Sequence, residues 1–481
     1  MRASEARLAA VFQRIDVTPS YPVSLLGYFN DRVSEGILDP LHCRLAAFRD
    51  LSARRQSRVS PGRLLLVQID TCLFDWAFAW SLRRALRSRE HGAWVNQELL
   101  VWASHTHTAP ALARLYEAPR QERYAAELVS RIAVAAGAAA RALPGAPEVG
   151  VQVARGSAEG LSFNRRWRGP DGGAVTNPSR AQRAHLAGPE GPVDPEVLTL
   201  WFSAAGGAPV AAFVSAVNHT DTMGGQRISA DWPGVLEREL GKALGAELPV
   251  FFLPGAQGNI NHFDPDTARN QTCYEEAQRL GRTYAEVVLD SLPDARPLPL
   301  DPRRPALACF RWQVRLPGRP IPAEARRAAR ALLAAAVQGG GPGTLTASEL
   351  AAGSPEVDRV LARELLRQAV ARRRSCRVPL QAARLGGALL CAIPGEPFVE
   401  LGLALKAARP PDRSRPAPGR LAAGVRFAVP LGLAGAYLGY ILPGARLLAG
   451  GYEALPASGR LGGAAGEIIV RHFLRLMRRL Q

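Results

Sequence analysis

The chain alternates short, fully apolar runs with longer stretches in which apolar residues return every three or four positions. Residues 63–70 (RLLLVQID) and 98–103 (ELLVWA) are apolar at successive positions, which predicts strands buried on both faces. Between them, residues 75–90 (DWAFAWSLRRALRSRE) recur at helical spacing, and residues 120–142 predict an alanine-rich helix. A further strand is expected at 149–154. The middle third follows the same scheme, with strands at 198–202 and 210–218, a helix at 232–244, a strand at 250–254 and a helix at 273–292. Beyond residue 295 the chain becomes rich in proline and glycine, enclosing a strand at 310–314 and helices at 322–337 and 355–373. A strand at 387–393 leads into PGEPF. Neither a sequence repeat nor a long linker divides these parts, so residues 1–481 read as one α/β unit, a layered mixed β-sheet core flanked by helices.

Two segments invite a membrane reading. Residues 424–443 (GVRFAVPLGLAGAYLGYILP) are largely apolar, yet Arg426, Pro430 and the glycines interrupt the roughly 20 apolar residues that a spanning helix needs. A buried strand pair is expected there instead. In residues 466–481, Ile469, Phe473, Leu476 and Leu480 share one helical face opposite a basic one. That pattern suits either peripheral contact with a membrane surface or docking on the protein's own core, and docking is the expectation.

Charge changes the picture less than its size suggests. The formal net charge is +18, but lysine occurs only at 242 and 406, and the arginines are scattered along helical stretches. No zinc-finger spacing, basic tail or aromatic-interleaved basic strand accompanies them, so nucleic acid is not an expected partner. The six cysteines form no CxxC pair and define neither a disulfide framework nor a thiolate metal site. Charges at positions 2, 5, 7 and 14 break up the N-terminal stretch, which is not a signal peptide, and a cytoplasmic location is expected.

The residues suited to chemistry collect at strand ends. One strand delivers Ser104-His105-Thr106-His107, where i and i+2 side chains of an extended chain share a face. Others end in Asn218-His219-Thr220-Asp221, in Gly258-Asn259-Ile260-Asn261-His262 and in Pro394-Gly395-Glu396. Open α/β sheets place ligands at strand C-terminal ends, which is where the active site is expected. Imidazoles with a carboxylate are the ligand set of catalytic zinc. Taken singly, Glu396 reads equally as a helix-capping acid, and His219 as an ordinary buried histidine.

In order, the motifs SHTHT, FNRR, NHT…ISAD, GNIN, PGE and AYLGY…GGYEA resemble the neutral/alkaline (non-lysosomal) ceramidase family, from about residue 16 to residue 463. The resemblance implies one Zn2+ held by His105, His219, Glu396 and Tyr440. It further implies catalytic roles for His107 as proton shuttle or hydrogen-bond donor, for Arg165 (with Arg166 adjacent) in orienting an oxyanion or substrate group, and for Tyr452 in donating to the oxyanion. Asp231 would lie behind a histidine or cap the helix beginning at 232. The family carries a serine where this chain has Asn261, so the implied reaction is attack by zinc-activated water on the amide of an N-acyl lipid, with Asn259 and Asn261 in the pocket wall. A zinc esterase and a non-catalytic lipid-binding protein are the alternatives. The chain also ends where the family's immunoglobulin-like C-terminal domain would begin.

Overall fold

The computed structural model describes residues 7–51, 62–298, 300, 305–335, 353–371, 374–407 and 425–480. The apolar runs form the strands of one large sheet: β1 (Leu8–Asp16), β2 (His42–Asp50), β3 (Arg63–Ile69), β4 (Leu99–Ala103), β5 (Glu148–Ser157), β6 (Glu196–Ser203), β7 (Pro209–Ala216) and β8 (Val250–Pro254). Their spatial order is β4-β3-β2-β1-β5-β6-β7-β8, with a short ninth strand, Arg296–Pro297, beside β5. The end pairs β3/β4 and β7/β8 are parallel, and the pairs between them are antiparallel. Each parallel pair is joined by a crossover helix, α1 (Trp76–Leu86) or α3 (Asp231–Leu244), and each half closes with a second helix, α2 (Glu122–Ala142) or α4 (Tyr274–Asp290). The chain therefore runs twice through the same β-β-β-α-β-α order, although its sequence shows no repeat.

Local signals set the helix ends. The Asp75 side chain accepts a hydrogen bond from the Phe78 amide at the start of α1, and Gly245 in the left-handed conformation ends α3. Strands rotate by roughly 20–25° from neighbour to neighbour, and over this many strands the twist brings the two edges of the sheet together. The Trp102 indole N–H on β4 donates to the Phe252 carbonyl on β8 at 2.8 Å, and the Phe252 amide donates to the Gln68 side chain at 2.8 Å. Inside the curled sheet, Phe48, Phe202, Phe213 and Phe251 pack together, with Phe213 and Phe251 at 4.5 Å between ring centroids. Arg44 of β2 is buried and bridges the halves, pairing with Asp70 at 3.0 Å and with Glu237 of α3.

A four-stranded sheet closes the open side of this core: β9 (Leu307–Pro317), β10 (Ser375–Leu385), β11 (Ala388–Ala392) and β12 (Phe427–Leu431). The apolar segment expected as a strand pair does give two strands, β12 and Tyr440–Ile441, but they do not pair with each other. β12 lies parallel to β11, and Tyr440–Ile441 lies parallel to Glu396–Pro397. Gly424 falls outside the described residues, as do the ends of the helices expected at 322–337 and 355–373. The C-terminal helix, α5 (Ala465–Leu480), lays Ile469, Phe473 and Met477 on the core beside the four-stranded sheet, with Phe473 5.7 Å from Trp312. Its apolar face is thereby covered. Among the described residues no helix is long and apolar enough to cross a membrane.

Candidate active site

The strand ends converge. β4 ends at Ala103, and His105 then adopts φ +81°, a conformation costly for a residue with a Cβ. Hydrogen bonds hold it there: its amide donates to the Thr71 carbonyl at 2.8 Å, and the Ser104 amide donates to that of Ile69 at 3.0 Å. His105 and His107 therefore enter one cleft through a strained turn, not through strand alternation as expected from sequence. Their rings are 4.8 Å apart and nearly perpendicular. The loop after β7 is tied to the same turn, since Thr220 Oγ1 donates to the Ser104 carbonyl and the His107 amide to the Thr220 carbonyl. The Trp232 indole N–H in turn anchors the His219 carbonyl.

The tautomers follow from the partners. His105 Nδ1 lies 2.8 Å from the Cys72 carbonyl and His219 Nδ1 lies 3.1 Å from the Ile260 carbonyl, so each Nδ1 carries the hydrogen. Both Nε2 atoms then face inward with lone pairs, only 3.0 Å from one another. Glu396 Oε2 joins them at 3.4 Å from His105 Nε2 and 3.8 Å from His219 Nε2, and has no hydrogen-bond donor of its own. Three buried acceptors crowded on one point repel each other unless a cation lies among them. Burial disfavours charge on every group here, yet His105 and His219 hold the Glu396 carboxyl down to about 2. His105 is raised well above its ordinary value because Cys72 and Glu396 outweigh its burial, whereas His219 and His107 are pushed down by burial and by their neighbours' charge. A second grouping, Cys72 with His105 and His107, does not share this focus, because Cys72 Sγ faces the Nδ1 edge of His105.

Glu396 arrives from the end of β11 on a turn that requires glycine. Gly395 sits at φ +153°, and a Cβ there would meet the Gly439 carbonyl oxygen at 2.4 Å. The Glu396 amide donates to that carbonyl, which seats Tyr440 directly opposite Glu396 in a short parallel ladder. Burial and Glu396 push the Tyr440 phenol well above its ordinary value, while Arg165, with its guanidinium 5.4 Å from the Tyr440 ring centroid, favours the phenolate. Arg165 donates to Glu453 Oε1 and to the Gly258 carbonyl. Arg166 is fully buried between Glu190 and Glu453, so of the two arginines Arg165 is the one beside the site. The Tyr452 hydroxyl hydrogen-bonds that of Tyr116, its ring stands 5.6 Å from Tyr440, and Phe29 packs on both Tyr116 and Tyr452.

Other expected residues are committed elsewhere. Asn259 accepts from the Val399 amide and donates to Glu400, capping the helix Val399–Ala407, a task the sequence had offered to Glu396. Asn261 donates to Asn177 and accepts from the Phe263 amide, so both side-chain amides are engaged away from the histidine cluster. Asp231 accepts from the Thr222 hydroxyl and from the Met223 and Trp232 amides. Sequence reasoning missed Tyr437, whose hydroxyl donates to Glu396 Oε1 at 2.8 Å, and Tyr116. The signal for Tyr437 was its place three residues before Tyr440 in AYLGY; nothing in the sequence marked Tyr116.

No protein-family model and no curated protein sequence matches the chain. Among solved structures, the neutral ceramidase from Pseudomonas aeruginosa superposes with a TM-score of 0.70 at 18% identity, covering 99% of this chain and 75% of that one. A ceramidase complexed with C2 superposes with a TM-score of 0.68 at 17% identity, covering 99% and 76%. At these identities the likeness establishes a common fold.

Proposed function

We propose that this chain is a zinc-dependent hydrolase of an amide bond in an N-acyl lipid, a member of the ceramidase family whose fold it shares, with residues 1–481 acting as one catalytic unit. The observation that carries the reading is the convergence of His105 Nε2, His219 Nε2 and Glu396 Oε2 with no donor among them. Two imidazoles and a carboxylate are a catalytic zinc set, and His105, His219 and Glu396 would hold the ion. Tyr440, paired with Glu396 and flanked by Arg165, would be the fourth ligand, its phenolate favoured by the neighbouring guanidinium. When bound, zinc supplies Lewis acidity and lowers the pKa of water to about 7.

The remaining steps fall to the chain. His107 is kept neutral by burial and by His105, and its Nε2 faces the cluster, 3.3 Å from His105 Nε2. There it takes up the proton from water and returns it to the leaving amine. The Tyr452 hydroxyl, positioned by Tyr116, donates to the carbonyl oxygen as negative charge grows on it. Arg165 holds Tyr440 and adds positive potential behind it. Asn261 is engaged with Asn177 and is no nucleophile, which is consistent with water as the attacking group.

The test is metal analysis together with acyl release. Purified protein is expected to carry about one zinc per chain and to liberate fatty acid from an N-acyl sphingoid base in preference to a matched ester. Absence of zinc after reconstitution, or ester cleavage without amide cleavage, would overturn the proposal.

A further inference from the structure

Arg315 and Arg377 stand directly opposite each other in the antiparallel ladder between β9 and β10. Like charges in directly opposed cross-strand positions destabilise a sheet. Both line a cavity of about 690 Å³, and Arg114 and Arg460 reach the same cavity from two other segments. Among the described residues none of these four has a carboxylate partner. The acid on the wall, Glu364, is already taken, since Arg367 lies 3.2 Å from it and Gln368 donates to it at 2.9 Å. Trp76, Val378 and Leu438 add apolar surface to a lining that also includes Ser375 and Cys376.

All four arginines are solvent-exposed, and they converge on one concavity where charges of one sign on a basic surface would otherwise spread apart. Its volume is that of a small-molecule site, about 300–1,000 Å³. Apolar walls weaken screening and strengthen the field inside a cleft lined by one sign of charge. Guanidinium forks match the geometry of phosphate oxygens, which accept two parallel N–H donors at once. We propose that this cavity binds a phosphate-type oxyanion of two or more charges, carried by a ligand whose apolar part packs on Trp76 and Leu438. The bound anion offsets the repulsion between Arg315 and Arg377. The cavity contains none of the proposed zinc ligands, so the inference stands apart from the hydrolase reading.

The probe is pyrophosphate, titrated calorimetrically into the full chain at constant ionic strength set with sodium chloride. Saturable binding near one per chain is expected, weakened about ten-fold or more in R315Q/R377Q and, independently, in R114Q/R460Q. Arg89→Gln, exposed and outside the cavity, should bind as the unaltered protein does. With no anion present, R315Q/R377Q should melt at the same or a higher temperature, because a repulsion has been removed. Sedimentation with vesicles containing phosphatidic acid separates the sources: association lost in R315Q/R377Q assigns a lipid headgroup, and none assigns a soluble phosphate ligand. Absence of saturable pyrophosphate binding, or binding by both double variants as tight as that of the unaltered protein, would overturn the site.

Discussion

His105 Nε2 and His219 Nε2 lie 3.0 Å apart, each turned inward because its Nδ1 is held by a backbone carbonyl. Two lone pairs at that distance repel each other, and a shared proton or metal cation between them removes the repulsion. His105→Ala and His219→Ala are each expected to lose stoichiometric zinc, read by elemental analysis. Chelation of the unaltered protein should lower its melting temperature, since a ligand bound to the folded state alone adds about 4 kcal/mol at a thousand times its Kd. Full metal retention in both variants would sink the ligand assignment.

Tyr437 orients Glu396 from behind through one hydrogen bond to Oε1. Tyr437→Phe keeps the ring and removes the donor. Loss of such outer partners typically weakens metal affinity by about 10–100-fold. Competition with a zinc-buffering chelator measures this directly, and an unchanged affinity would show that the hydroxyl does not position the ligand.

Tyr452 and Tyr116 share a hydrogen bond between hydroxyls, but only Tyr452 also packs against Tyr440. Tyr452→Phe is expected to reduce kcat by about 10²–10³ with little change in KM, the pattern of a donor used in the transition state. Tyr116→Phe should give a smaller loss, because it acts only by positioning Tyr452. Equal losses, or losses confined to KM, would contradict this division of roles.

Arg44 joins the two halves of the large sheet through Asp70 and Glu237. Arg44→Ala strands two buried carboxylates and should cost about 3–5 kcal/mol in urea unfolding. The double change of Arg44 and Glu237 to apolar residues should recover part of that loss.

Glu453 is buried, which alone would raise its pKa, but Arg165 and Arg166 bring it below the ordinary value of 4.5. A depressed folded-state pKa stabilises the protein above the unfolded value, and the benefit is lost as pH falls through the folded one. The stability gap between the unaltered protein and Glu453→Gln should therefore be constant above about pH 5 and narrow below about pH 4.5. A gap that widens with acid would reverse the assigned sign.

Much was legible in the chain itself. Apolar runs such as residues 63–69 and 99–103 specify buried strands because a run with no polar alternation has no face to give to water. The polar residues that follow them, His105, His219 and Glu396, were readable as strand-end chemistry for the same reason. The order of the motifs pointed to a fold that the structural comparison bears out. What sequence could not supply is distance. Accumulated twist across the sheet brings β4 and β8 together, and only that closure sets His105 against His219 across 114 residues of chain. Tertiary structure alone also separated Arg165 from Arg166, gave Asn259 to a helix cap, and placed Tyr437 behind Glu396. Those choices depend on which neighbour fills each hydrogen-bonding position, and that is fixed by packing between segments far apart in sequence.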